Sequence, residues 1–352
     1  LHELDGTVND LDPRAVLQRV IDRFEADGLT PAVACELEFY LVDGERGPNG
    51  ELLLPRSPVS GRRPDTTEVY GLPQIEDEAD FLRGLWETCD IQNIPLEGAI
   101  SECAPGQLEL TLNYKPDALR AADEAVAYKR AAKGVARSLG LDATFMAKPW
   151  HTRAGNGLHL HVSVNDKDGK NLMAADDPAG SPLLRHAIGG MAKMLAESMA
   201  IFAPHANSYR RFKANSYAPV APTWGVNNRT VALRVPAGLP KTRHIEHRVA
   251  GADANPYLAL AAMLAAVHYG ITNKIDPGEP VKGDGYAAAA AAGSALPTNW
   301  FDAVGLFSKS DLLKDYLGTR FVDMYTKVKH TEQTRFFEIV TDLDYDWYLH
   351  NA

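Results

Sequence analysis

Hydrophobic positions along the chain follow two periods, and the changes of period mark out the elements. After Asp12 and Pro13, a cap and a first-turn proline, Val16, Leu17, Val20, Ile21 and Phe24 recur at helical spacing until Gly28, which predicts a helix. "PAVACELEFYLVD" (31–43) then switches to period two. Cys35, Leu37, Phe39 and Leu41 fall on one face of the predicted strand, and Glu36, Glu38 and Tyr40 on the other. "AGNGLHLHVSV" (154–164) repeats the device, setting Leu158, Leu160, Val162 and Val164 opposite His159, His161 and Ser163. Helical patterns recur over 76–89, 117–140 and 183–202 and again after Asn255 and Pro256. Further strands are predicted in "GAISECAPGQLELTLNY" around a Pro105–Gly106 turn, and in "ATFMAKPW", "TVALRVP" and "RHIEHRV". The Gly/Pro-rich stretch 44–71 predicts a surface loop or hairpin. The alanine run at 286–292 reads as helix filler without a function of its own. Strands and helices mix without regular β-α-β alternation. That favours an α+β fold on a mainly antiparallel sheet over a doubly wound parallel one.

Charge narrows the partners. A formal net charge of -10, with no Lys/Arg-rich block to offset it, argues against nucleic acid. No uninterrupted apolar run reaches the ~18 residues of a membrane span, and the first residues carry no basic-then-apolar leader, so a cytoplasmic protein with no membrane partner is expected. Cys35, Cys89 and Cys103 form no C-x-x-C spacing and read as reduced packing thiols. Within this acidic chain, "NSYRRFK" and "NNRTVALRVP" place Arg210, Arg211, Arg229 and Arg234, side chains shaped to grip phosphate or carboxylate, which favours a small anionic ligand.

Taken singly, each polar pair could line the wet face of an antiparallel strand. The recurrence changes the balance: Glu36 and Glu38, Glu102 and Glu109 flanking a tight turn, His159 and His161, Arg234, then Glu246 and Arg248. If these faces line one concave surface, five carboxylates converge there, and their repulsion demands cations. Oxygen donors with one imidazole and no thiolate suit magnesium or manganese. Metal beside arginine suggests phosphoryl transfer from a nucleotide. No Walker-type loop is present, "GNG" at 155–157 is too short for a dinucleotide fingerprint, and no nucleophilic Ser or Cys sits in a recognisable frame.

"ELEFYLVD", "ECAPGQLEL", "GNGLHLHVS", "NSYRRF", "NNRTVALRVP" and "IEHRVAGADANPYLALAA" resemble the successive motifs of the glutamine synthetase family. "ATFMAKPW" and the ending "DWYLHNA" resemble in particular its γ-glutamylputrescine synthetase branch. The resemblance spans residues 12 to 352. It implies the glutamine synthetase catalytic-domain fold, a curved, mainly antiparallel sheet flanked by helices. It also implies a cytoplasmic ligase that phosphorylates the side-chain carboxylate of glutamate with ATP and lets an amine, putrescine or another primary amine, displace the phosphate. Carried over by position, Glu38, Glu102 and Glu109 would hold one divalent ion, and Glu36, His159 and Glu246 the other. His161 and Ser163 match positions near ATP, Glu97 and Tyr114 the nucleoside pocket, and Arg229 and Arg234 phosphate contacts. Arg211 and Arg248 match residues that grip glutamate, with Gly155 allowing close approach. Six residues after Arg211, ammonia-using members carry a flap glutamate where this chain has Tyr217, which points to a larger amine. An ammonia-using glutamine synthetase and a catalytically silent homologue are the alternatives. The resemblance further implies a homo-oligomer, a dodecamer of two hexameric rings. It makes residues 1–12 the tail of an N-terminal β-grasp domain, the rest of which, about one hundred residues, is expected ahead of Leu1, and residues 13–352 the catalytic domain.

Overall fold

The alternating run at 31–43 forms the strand β1 (Thr30–Asp43), and the sheet grows outward from it in this computed structural model, which describes residues 1–66, 69–292 and 295–350. The other strands are β2 (Leu96–Ser101), β3 (Gln107–Leu112), β4 (Leu141–Thr144), β5 (Leu158–Asn165), β6 (Trp224–Val226), β7 (Leu233–Val235) and β8 (Ile245–His247). They lie in the order β2-β3-β1-β5-β8-β7-β6, with β4 pairing the end of β1 that β3 leaves free. Every pairing is antiparallel except β6 with β7.

Period-two alternation gives this sheet a dry face and a wet one. Leu37, Phe39, Leu108, Leu110, Leu158, Leu160, Val162, Leu233 and Ile245 are fully buried on the dry face, beneath the helices Pro13–Ala26, Ala118–Ser138 and Pro182–Met194. Each such side chain contributes about 1.5–3 kcal/mol when taken out of water. A one-residue slip would exchange the two faces, so the same burial fixes the register. Helix Pro13–Ala26 starts as its sequence requires, with the Asp12 side chain accepting from the Arg14 amide. Helix Pro256–Thr272, capped by Asn255, is apolar nearly all round and packs between Pro13–Ala26 and Pro182–Met194.

Three elements depart from the periodicity. The strand predicted over "ATFMAKPW" stops at Thr144. Beyond it, asparagine side chains serve the backbone instead of a neighbouring strand: Asn156 donates to the carbonyls of Thr144 and Met146, and Asn207 accepts from the Lys148 amide. The helix predicted over 183–202 breaks into Pro182–Met194 and Met199–Phe202, where the Ser198 amide is shared between the Met194 and Leu195 carbonyls and the ladder slips toward 3₁₀ spacing. The strand predicted over "RHIEHRV" ends at His247, leaving Arg248 just past it with its amide on the Ala232 carbonyl. The stretch 44–71 carries a small hairpin bridge, Arg46 to Leu52. The alanine run forms the helix Gly285–Ala292, and residues 293–294 lie outside the described residues.

Helices Pro182–Met194 and Pro256–Thr272 cross so closely that a Cβ on Gly190 would stand 2.1 Å from the Ala266 carbonyl oxygen and 2.5 Å from the Gly270 Cα. Backbone on both sides leaves nothing that can swing away. Gly190→Val is therefore expected to destabilise the fold by about 1–3 kcal/mol or more, seen as a lowered midpoint in chemical denaturation, whereas Gly305→Ala, with nothing within 4 Å of its Cβ position, should leave it unchanged or raise it slightly.

Candidate active site

Register turns the alternation into a cluster. On the wet face Glu36 lies opposite His159 of β5, Glu38 opposite Glu109 of β3, and His161 opposite Glu246 of β8, which in turn faces Arg234 of β7. His159 sits at the centre. Its Nδ1 is 3.3 Å from Glu36 Oε2, 3.7 Å from Glu246 Oε1 and 4.0 Å from Glu109 Oε2, and its Nε2 is 4.0 Å from Glu38 Oε1. Two groups could hold a metal ion, Glu36–His159–Glu246 and Glu38–Glu109–His159, with the ligand atoms of each within 4.8 Å of one another. Glu102 stands beside them, past the end of β2. Its amide donates to the Gln107 carbonyl across the turn at Gly106, whose φ of +75° suits glycine.

The carboxyls divide by their neighbours. Burial first, then the charges of Glu36, Glu38, Glu102 and Glu246, push the Glu109 carboxyl up to about 10. Burial and then Glu38 raise Glu102 as well. Burial would also raise Glu36, but hydrogen bonds from His159 and His161 outweigh it and hold that carboxyl well below the usual range. Glu246 is held down to about 2, because Arg248, His159, His161 and Arg234 together overcome its burial. Arg234 Nη1 donates to Glu246 Oε2 at 2.8 Å, and Arg248 donates to Oε1. A group of five carboxyls in which burial and the remaining charges force one neutral lacks positive charge, and hard oxygen donors with one imidazole suit a divalent cation. The residues present fit such an ion.

Beside the cluster lies a wall of buried arginine. Burial lowers the Arg211 pKa, and its Nη1 donates to the Val249 carbonyl at 3.1 Å. A Cβ on Gly155 would stand 2.6 Å from Arg211 Cγ, and one on Gly157 would stand 3.1 Å from His159 Nε2 and 3.3 Å from Arg211 Nη2. The two glycines therefore let the arginine and histidine lie against the strand. Farther along, Ser163 is buried and its hydroxyl hydrogen-bonds the Tyr114 hydroxyl. His161 Nδ1 meets His244 Nε2 at 3.0 Å, and His161 Nε2 stands 3.0 Å from Glu36 Oε1. Three predicted residues stand outside this network. Glu97 is exposed on the edge strand β2. Arg229 is exposed on a loop, with Nη1 3.4 Å from the Tyr70 hydroxyl. Tyr217 is 59% exposed on the loop after Arg211, with a φ of 57°.

Three further residues, none of them a candidate above, organise the site. Gln107 Nε2 donates to the Gly155 carbonyl and to Asn156 Oδ1, both at 3.0 Å, and approaches Glu38 Oε2. Fully buried Asn156 ties the 144–146 backbone to the glycine turn. His244 accepts from His161, donates Nδ1–H to the Thr242 carbonyl, and has its pKa lowered by burial and by His161. Gln107 was visible as the wet-face residue before Leu108 and Glu109. Asn156 lies outside any alternating run and carries no such signal, whereas His244 shares a face with Glu246 in the strand predicted over "RHIEHRV", and that spacing is the signal for it.

Residues 10–348 match the catalytic domain of glutamine synthetase. The chain belongs to the glutamine synthetase family. It is 40% identical to the γ-glutamylputrescine synthetase of Escherichia coli over 99% of its own length and 73% of that protein. It is 35% identical to the γ-glutamylethanolamide synthetase of Streptomyces coelicolor, over 96% of this chain and 71% of that protein. It is 32% identical to a glutamate–isopropylamine ligase of Pseudomonas, over 94% and 71%. Among solved structures, an ADP complex of GmaS superposes with a TM-score of 0.87 at 28% identity, covering 98% of this chain and 79% of that one.

A metal ion must displace the proton that Glu109 holds. Titration of the metal-free chain with Mn²⁺ at pH 7.5 is expected to release about one proton per site, read by calorimetry as a dependence of the heat on the buffer's ionisation enthalpy, and Glu109→Gln should remove most of that dependence. Without metal, Glu109 keeps its proton when folded but loses it near 4.5 when unfolded. Its contribution to stability is therefore complete below about pH 4.5 and is lost as the pH rises toward about 10. Denaturation midpoints in EDTA should fall over that window, and fall less in Glu109→Gln.

Proposed function

We propose that this chain is an ATP-dependent ligase that joins the γ-carboxylate of glutamate to a primary amine through a γ-glutamyl phosphate. The observation that carries the reading is the convergence of Glu36, Glu38, Glu102, Glu109 and Glu246 around His159, with the buried Arg211 and Arg248 alongside. Divalent ions, magnesium or manganese, held by Glu36, His159 and Glu246 and by Glu38, Glu102 and Glu109, would neutralise charge on the phosphates and on the glutamate carboxylate. In the first step a γ-carboxylate oxygen attacks the γ-phosphorus of ATP and ADP leaves. In the second the amine nitrogen attacks the acyl carbon, phosphate leaves, and the amine proton is lost to an acceptor.

The chain's own side chains supply alignment and charge. Arg234, fixed by Glu246 and by Asn227 Oδ1 at 2.9 Å, presents a guanidinium toward the phosphate side. Arg229, on its exposed loop, would reach the phosphates as they arrive. Arg211, already fixed by Val249, grips glutamate with Arg248, so little ordering is left for the substrate to impose. Tyr114 with Ser163, His161 and Glu97 line the nucleotide end. The amine must lose a proton before it attacks, and an acidic face lowers the barrier to that transfer.

Tyr217 supports an organic amine over ammonia. An uncharged ring takes the place of a carboxylate that would hold ammonium, and three relatives bear names that denote ligation to putrescine, ethanolamine or isopropylamine. With this reading go the assignment of residues 1–12 to the tail of a β-grasp domain and a two-ring dodecameric assembly, both supported by the family resemblance alone.

Phosphate release with glutamate, ATP and Mg²⁺ or Mn²⁺ across ammonium, methylamine, putrescine and an aromatic amine tests the proposal. A primary amine should give the highest kcat/KM, and ammonium as the best substrate would overturn the amine assignment. Tyr217→Glu should move the preference toward ammonium. His159→Ala should lower kcat by at least about 100-fold while circular dichroism stays unchanged; ordinary turnover in that variant would refute the metal assignment.

A further inference from the structure

Away from the acidic cluster, a cavity of about 720 Å³ opens between the helices Ala118–Ser138, Pro256–Thr272 and Thr319–Phe337. Its charge is opposite to that of the chain. Lys129, Arg130, Lys133 and Arg137, spaced along one side of Ala118–Ser138, line it together with Lys329, and the only carboxylate among the lining residues is Asp253. Of that carboxylate, Oδ2 accepts from Ser208 Oγ at 2.6 Å and meets His205 Nδ1 at 3.0 Å, while Oδ1 is buried without a hydrogen bond among the described residues. Among the described residues Lys129, Arg130 and Lys133 have no ion pair. Arg137 has only a 3.9 Å approach to Asp142, and buried Lys329 donates to Glu332 at 2.8 Å.

Lys129 is held in place, its Nζ donating to the Ala252 carbonyl at 2.6 Å, and burial lowers its pKa to about 8 although Asp253 works the other way. Crowded ammonium and guanidinium groups in a partly desolvated pocket repel one another, and a multiply charged anion relieves that repulsion. The amides at the start of Pro256–Thr272 add little, because Asn255 already caps those of Tyr257 and Leu258. The side chains therefore set the preference. Three lysines act as point charges and two arginines as forks, a mixture suited to phosphate oxygens. Val126, Ile201 and Leu258 form an apolar wall beside them, and the volume suits a small organic molecule.

We propose that this cavity is a second anion site, separate from the ligase site, that binds a small phosphate-bearing molecule. The segment 249–254 divides the two sites. The Ala252 carbonyl faces Lys129, while the Ala252 amide donates to Asn156 on the active-site side.

Calorimetric titration of the whole chain with pyrophosphate and with phenyl phosphate, in EDTA, tests the proposal. Saturable binding of at least one probe is expected, with pyrophosphate the tighter if charge alone is read and phenyl phosphate the tighter if the apolar wall contributes. Lys133→Glu/Arg137→Glu, at two exposed positions outside the ligase site, should weaken that binding by more than about tenfold while circular dichroism and ligase turnover stay unchanged. Arg234→Gln, on the active-site side, should leave it unchanged. No saturable binding by either probe, equal binding by the charge-reversed variant, or loss of binding in Arg234→Gln would overturn the proposal. A failure of ligase activity alone would not touch it.

Discussion

Repulsion among carboxylates on a single sheet face is the constraint around which this molecule is arranged. Glu36 and Glu38 of β1, Glu109 of β3 and Glu246 of β8 converge on His159 of β5, and that convergence costs free energy that the cluster does not recover by itself. The opposite face supplies it. Leucine, valine and phenylalanine side chains beneath the helices hold the strands in the only register that keeps them dry, and that register delivers the acidic groups to one another. The core thus serves chemistry as well as stability.

Cations within the chain relieve this repulsion unevenly, and the unevenness has chemical meaning. Glu246 receives two guanidinium groups and remains ionised, anchored by them. Glu109 receives none, and burial together with the neighbouring carboxylates keeps it neutral until external positive charge arrives. A face with every carboxylate paired internally would have no reason to bind metal, and one with none paired would lie closer to unfolding. Partial compensation leaves, as a consequence of the fold, a cluster that a divalent ion fits.

What was legible in the sequence follows from this arrangement. Alternation exposed β1, β3 and β5 together with Glu36, Glu38, Glu109, His159 and His161, because burial on one side leaves period two on both. Arg248 was visible as a charge but not as a post-strand residue, since three-residue strands such as β8 give too short a pattern to bound. Asn156 and Asn207 were invisible, because they satisfy irregular backbone at 144–148 and no periodicity marks that role. Glu97 and Tyr217 entered through family resemblance, and Arg229 first as one of the few clustered arginines of an acidic chain. Their positions lie on an edge strand and on loops whose geometry the core does not dictate, so a bound substrate has the most freedom to rearrange them.

The distribution of charge extends this logic beyond the site. A chain of net charge -10 concentrates acidic groups on the wet face of the sheet and basic ones along one side of the helix Ala118–Ser138. The segment 249–254 runs between them and touches both: the Val249 carbonyl holds Arg211, Gly251 packs against that arginine's Nη1, the Ala252 carbonyl holds Lys129, and Asp253 ties Ser208 and His205. Ser208 and Arg211 share one 3₁₀ turn, Ala206–Arg211. Asp253 and the buried guanidinium are therefore joined by two routes, each a short run of backbone closed by one hydrogen bond, Ser208 to Asp253 in one and Arg211 to Val249 in the other. Small residues at Ala250, Gly251, Ala252 and Ala254 are what permit so narrow a partition, because any larger side chain would push one of the two charged faces away from the other.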